Sequence, residues 1–159
     1  MRIPNLTRYQ LVLEILCLVL LFGSIAAAVL AFPQLPEEIP AHFDAAGNVT
    51  DYSGRVLVFA LPAINLFLYA VLTLCILFPA VLNDPNVPWE VAPAKKYIVV
   101  QESITLLSET KLLCLALFDW MLVYILRCVK MNMAGVWLLT AAILVLCALR
   151  IRRMKKLST

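Results

Sequence analysis

Hydrophobic and polar positions along this chain separate into long apolar blocks joined by short polar segments. Residues 11–32 hold one charge, Glu14, close to their start, and residues 56–82 hold none. A bilayer crossing needs about 20 predominantly apolar residues in a helix, and both blocks are long enough. Pro62, early in the second, predicts a local kink of the kind membrane helices tolerate when neighbours satisfy the freed carbonyl. A third block, residues 112–126, is short and interrupted by Asp119. Extending it back through Ile104, Leu106 and Leu107 supplies the length, gives a span over 104–126 and leaves Glu109 and Lys111 near one interface. Residues 97–101 continue that helix beyond the hydrocarbon. The fourth block, residues 133–149, carries Trp137 near one end as an interfacial anchor. The pattern predicts a single membrane domain over residues 1–159, an all-α integral membrane protein with four transmembrane helices.

The polar remainder is uneven. Most of it lies in residues 33–55, between the first two spans, and in a basic tail, residues 150–159. Pro33, Pro36 and Pro40 stiffen the exit from the first span. Residues 39–43 and 49–52 have strand-like composition, and residues 44–48 between them read as a turn with Gly47 at a positive-φ position. The expectation is a short extracytoplasmic β-hairpin between helices 1 and 2. Alternation along its first strand puts Ile39, Ala41 and Phe43 on one face, towards helices or lipid, and Pro40 and His42 on the other.

Composition narrows the class. Of 159 residues, 64% are hydrophobic and 14% charged, with a mean hydropathy of +0.94. Soluble domains are about half apolar and a quarter charged, so a water-soluble protein and a separate soluble active-site domain are both excluded. Basic residues in short flanks set orientation. Arg2, Arg8, Lys95, Lys96, Arg150, Arg152, Arg153, Lys155 and Lys156 fall on one side, against Arg55, Arg127 and Lys130 on the other. Both termini are expected in the cytoplasm, with the tail against anionic headgroups. So short a tail has no nucleic-acid recognition fold. The first block exceeds the ~7–15-residue core of a secretory signal and is read as a retained span.

Five cysteines, Cys17, Cys75, Cys114, Cys128 and Cys147, lie in or at the ends of spans without ligand spacing, and read as small apolar packing residues. Four glycines leave no glycine-rich phosphate cradle, and no Walker, HExxH or GxSxG motif occurs. No cofactor and no metal is expected.

Leu35-Pro36, Ile39-Pro40, His42-Phe43-Asp44 and Ala46-Gly47 resemble the signature, roughly LPxxIPxHF(N/D)xxG, of a bacterial membrane family catalogued as domain of unknown function 1648. That module also forms the N-terminal part of SdpI-type immunity proteins. The likeness extends to residues 84–90 and 94–97, which look similar to the family's cytoplasmic connection into a long third helix. The resemblance implies a small multi-pass protein of the bacterial plasma membrane. It also implies an immunity or signalling role like that of the better-understood relatives, which protect their producer from a secreted toxin. Residue by residue it carries over only to Pro36, Pro40, His42, Phe43, Asp44 and Gly47.

The candidate chemistry is sparse. His42, the only histidine, shares its loop with Glu37, Glu38, Asp44 and Asp51. It can serve external recognition or simply hold the loop in place. One imidazole cannot complete a structural zinc set of four N or S ligands. Asp119 falls within the third span, where a charge costs on the order of 2.5–3.5 kcal/mol on insertion scales and should face a partner or cavity. Ser108 shares its helical face, and Asn65 is a candidate partner from the second span. Glu14 and Lys111, near the same ends of spans one and three, are placed to pair between helices. Three readings follow. The first is binding or sensing of an extracellular peptide or envelope component through the outer loop. The second is a small transporter or membrane enzyme with an intramembrane site at Asp119. The third is an accessory subunit packed on a membrane-protein partner or on a second copy of itself.

Overall fold

The computed structural model describes residues 6–82 and 87–158, with backbone alone at 78–82. Arg2 and residues 84–86 of the expected connection lie outside the described residues. Helix α1 (Arg8–Ala31) opens on a capping box. The Thr7 hydroxyl accepts from the Gln10 N–H at 3.2 Å, and the Gln10 side chain accepts from the Thr7 N–H at 2.9 Å. A 3-10 turn, Phe32–Gln34, leads into the antiparallel hairpin of β1 (Glu38–Phe43) and β2 (Val49–Gly54). A second 3-10 turn, Arg55–Phe59, enters α2 (Ala60–Leu82). A third, Pro93–Lys95, precedes α3 (Lys96–Arg127), which ends on Cys128 in the left-handed conformation, and α4 (Met133–Ser158) completes the fold.

Helix α3 is the axis of the bundle and packs against α1, α2 and α4. It does so with a mixed face in which Val100, Ile104, Leu115 and Leu122 alternate with buried Ser103, Ser108, Glu109 and Lys111. The lipid-type surface lies on the other helices. Leu11, Ile15, Val19 and Phe22 of α1 and Trp137, Leu138, Leu144 and Val145 of α4 are exposed. Contiguous apolar surface of this kind suits a bilayer rather than water.

Three helical segments are long and apolar enough to cross a membrane: Arg8–Gln34, Arg55–Leu77 and Met133–Ser158. The structure therefore supports three of the four expected spans on composition. Helix α3 has the length, but Glu102, Glu109, Lys111 and Asp119 dilute its apolar character. The hairpin is present, and residues 97–101 extend α3 as expected.

Several expectations are corrected. Pro62 falls in the first turn of α2, where a missing N–H is tolerated, and not inside a span where it would force a kink. Residues 150–158 are no free tail, because α4 runs helical to Ser158 with Met154 buried. The cysteines read as packing residues divide: Cys17 is buried, whereas Cys75 and Cys128 are exposed. Pro40 is buried beside Ile39 and does not face out with His42. The pairing runs Pro40 to Tyr52 and then His42 to Asp51, so Ala41 is an extra residue on β1. Such a bulge breaks strict alternation.

Candidate functional site

The hairpin is built inward from its apolar side. Ile39 is 0% exposed and joins Ala28, Leu35, Val58, Leu122 and Ile125 in one cluster, with Phe32, Phe43 and Phe59 packed against it. These residues come from the end of α1, the 3-10 turns that flank the hairpin and the end of α3, so β1 roofs the bundle there. The rings of Phe32 and Phe59 lie 5.2 Å apart, and the Arg55 guanidinium sits 5.0 Å over the Phe32 ring. Pro36 is exposed in the segment leading to β1.

Asp44 builds the turn. Its Oδ1 accepts from the backbone N–H groups of Ala46 (2.9 Å) and Asn48 (2.8 Å), and its Oδ2 accepts from Asn48 Nδ2 at 2.9 Å. The Asn48 side-chain amide, with the Asn48 and Ala46 N–H groups and the nearby Lys130 charge, holds the Asp44 carboxyl below the usual carboxylate range. Gly47 closes the turn at φ 81°. Its carbonyl accepts from the Met131 N–H at 2.9 Å, docking the hairpin tip onto the α3–α4 connection. A Cβ at Gly47 would lie 1.9 Å from the Met131 carbonyl oxygen. Asp44 and Gly47 thus serve architecture.

His42 is turned outward. Its side chain is 74% exposed and its Nδ1 lies 3.5 Å from Asp51 Oδ2, which is 67% exposed. Tyr52 is exposed beside them. At the tip, Ala46, Lys130, Met131, Asn132 and Met133 line an open notch of about 350 Å³. Among the described residues no group of three or more His, Cys, Asp or Glu side chains could hold a metal ion.

Below the hairpin, polar groups are stacked in tiers along α3. The tier nearest the hairpin is Asp119, whose Oδ1 accepts from Asn65 Nδ2 at 2.7 Å, with Ser24 of α1 beside the carboxylate. Asn65 is 0% exposed. The structure therefore brings Asn65 to Asp119 but not Ser108, whose hydroxyl donates to the Ile104 carbonyl at 2.9 Å, about 16 Å further along the axis.

Ser108 belongs to the next tier. There Lys111, fully buried, donates to Glu14 Oε2 at 2.6 Å and to Thr73 Oγ1 at 3.1 Å, and its ammonium sits 4.5 Å over the Tyr69 ring. The Tyr69 hydroxyl also donates to Glu14. A cavity of about 170 Å³ opens beside this group, lined by Gln10, Thr73 and Ser108 among others. The Glu14–Lys111 contact placed from sequence is present, with Tyr69 and Thr73 as partners that sequence reasoning missed.

The last tier was missed entirely. Arg150 Nε donates to Glu109 Oε2 at 2.9 Å and Nη1 to Glu102 Oε2 at 2.9 Å, while Nη2 also reaches Glu109. Arg153 adds a contact to Glu102 at 3.0 Å, and the Tyr9 hydroxyl donates to Glu109 at 2.8 Å. Gln10 Nε2 reaches Thr105 Oγ1 at 2.9 Å. One signal was available. Glu102 and Glu109 are seven residues apart, two turns on one face of α3, and acidic groups in an apolar helix demand cationic partners. Arg150 and Arg153 thus bind protein carboxylates, whereas the sequence had assigned them to headgroups.

Comparison with known proteins bears on the hairpin. Residues 19–66 match a family described as Domain of unknown function (DUF1648). Over those residues the chain is similar to a DUF1648 domain. In this structure that region is the second half of α1, the whole hairpin and the first turns of α2, and it contains Ser24 and Asn65 together with every signature residue from Pro36 to Gly47. The DUF1648 match stops at residue 66, so the likeness read in residues 84–97 stands outside it. No curated protein and no solved structure matches the chain.

Proposed function

We propose that this protein binds an extracytoplasmic peptide or envelope component on the outer face of its hairpin, in an immunity-type role in a bacterial plasma membrane. The observation that carries the reading is the division of labour within β1. Ile39 and Pro40 are buried against the bundle, whereas His42, beyond the bulge at Ala41, is held 74% exposed beside Asp51. A rigid platform with an outward polar pair, an exposed Tyr52 and a Met-bordered notch is suited to recognition, because pre-organised groups lose little entropy on binding. Met133, partly exposed at the notch, can adapt to varied apolar partners.

In this reading α3 is the fourth span. Lys111 is carried into the bilayer already paired with α1, and Glu102 and Glu109 with α4, which lowers the cost of burying them in lipid, while Asp119 is hydrogen-bonded to Asn65 of α2. Both termini then face the cytoplasm, and the hairpin and the α3–α4 connection face out.

The test is survival of a sensitive bacterial host that expresses the chain and is challenged with a panel of secreted membrane-active peptides. Protection is expected with the wild type. It should fall at least tenfold in His42→Ala and Tyr52→Ala at equal membrane abundance. Equal survival of expressing and empty hosts across the panel overturns the proposal.

A further inference from the structure

Ser24, Asn65 and Asp119 bring oxygen-bearing side chains from α1, α2 and α3 to one level of the bundle, and their hydrogen-bond inventory does not balance. Asn65 is 0% exposed and spends its Nδ2 on Asp119 at 2.7 Å, while its Oδ1 is buried with no donor. The Ser24 hydroxyl has one hydrogen, which it gives to the Leu21 carbonyl at 2.9 Å. The same hydroxyl is also within hydrogen-bonding reach of the Asp119 carboxylate, so its one hydrogen serves either the Leu21 carbonyl or Asp119 while its lone pairs remain open. Whichever acceptor Ser24 serves, Asn65 Oδ1 has no donor among the described residues, in surroundings of low dielectric where an unmet acceptor is costly. Among the described residues no salt bridge reaches Asp119. The nearest buried cation on α3, Lys111, is about 12 Å away along the axis and is already neutralised by Glu14.

What the cluster lacks is positive charge of small radius. We propose that Ser24, Asn65 and Asp119 form a binding site for a small hard monovalent cation of the Na⁺ or Li⁺ kind. Asp119 supplies the balancing charge, and Asn65 Oδ1 and Ser24 Oγ supply neutral oxygen ligands. Hard cations select oxygen donors. A single carboxylate neutralises one charge, whereas a divalent ion would leave a net charge buried in the bundle. Since the ligands come from three helices, the bound ion ties α1, α2 and α3 together beneath the hairpin.

The experiment is thermal unfolding of the full-length protein in detergent at pH 8, titrated with NaCl, LiCl, KCl or choline chloride at constant ionic strength. A ligand of the folded state raises the midpoint saturably with its concentration. The expected result is a saturable rise with Na⁺ or Li⁺, little or none with choline, and a need for more cation as the pH is lowered and protons compete for Asp119. The Asp119→Asn variant should lose the response, and Ser24→Ala should raise the half-saturating concentration roughly tenfold, the loss of one ligand interaction. Equal midpoints in Na⁺, Li⁺ and choline overturn the proposal, as does a midpoint that responds to pH alone, which would make the site a proton site. If Asp119→Asn does not fold, Ser24→Ala decides, and an unchanged half-saturation overturns it. His42→Ala should leave the response intact, which separates this site from recognition at the hairpin.

Discussion

At Gly47 the backbone runs at φ 81° and a Cβ would sit 1.9 Å from the Met131 carbonyl oxygen. Two penalties coincide there for any L-residue. The left-handed conformation costs roughly 1–2 kcal/mol, and displacing Met131 would sacrifice a backbone hydrogen bond worth about 1 kcal/mol. Gly47→Ala is therefore expected to destabilise the fold by roughly 2–3 kcal/mol. Denaturant unfolding in micelles measures it, and a loss under about 0.5 kcal/mol would show that the tip does not need this docking. Asp44 adds a pH dependence. Its folded pKa lies below its unfolded value, so its contribution is complete above the ordinary Asp pKa of about 3.9 and disappears as pH falls through the lower folded value. Amide exchange at Ala46 and Asn48 should stay slow, relative to the unfolded chain, at neutral pH and lose protection under strong acid. Asp44→Ala should remove that pH dependence. Burial of Pro40 was not legible at this scale, because strict alternation holds only while neither strand inserts a residue, and Ala41 does.

Between elements, α3 is held by charge pairs as much as by apolar packing. Lys111 is fully buried against Glu14, Tyr69 and Thr73, so removing one partner strands a charge. Lys111→Met alone is expected to cost about 3–5 kcal/mol, whereas Glu14→Leu with Lys111→Met should recover most of that loss, as buried ion pairs replaced whole by apolar groups commonly do. A double-mutant cycle on unfolding in micelles gives the coupling, and additive losses would contradict it. The pair was legible because Glu14 and Lys111 are isolated charges in apolar surroundings at matching ends of two predicted spans. The Glu102, Glu109 and Arg150 cluster was not. Arg150 follows the last apolar block directly, and in sequence it is indistinguishable from the basic flank that usually faces headgroups.

Across the whole molecule, the hairpin and the α3–α4 connection share one end, joined through Gly47 and Met131. The start of α1 and the end of α4 meet at the other, where Tyr9 and Arg150 share Glu109. If α3 crosses the bilayer with the other helices, these ends lie on opposite sides. A single cysteine at Thr50 in a background lacking the five native cysteines should then react with an impermeant maleimide in intact cells. One at Arg152 should react only after permeabilisation. Labelling of both in intact cells would refute the four-span arrangement.

The apolar blocks, the hairpin between the first two and the signature from Leu35 to Gly47 were set by the sequence itself, because length, hydropathy and turn chemistry are local properties. The role of α3 was not, since a helix with Glu102, Glu109, Lys111 and Asp119 in its interior looks unfit for lipid until its partners on α1, α2 and α4 are known. Tertiary structure decided that Asn65 meets Asp119 while Ser108 does not, and that Arg150 binds Glu102 and Glu109. It also decided that Gly47 is required by a neighbour 84 residues away as well as by its own turn. Each of these depends on the depth and rotation of one helix against another, which residue spacing within a single helix does not encode.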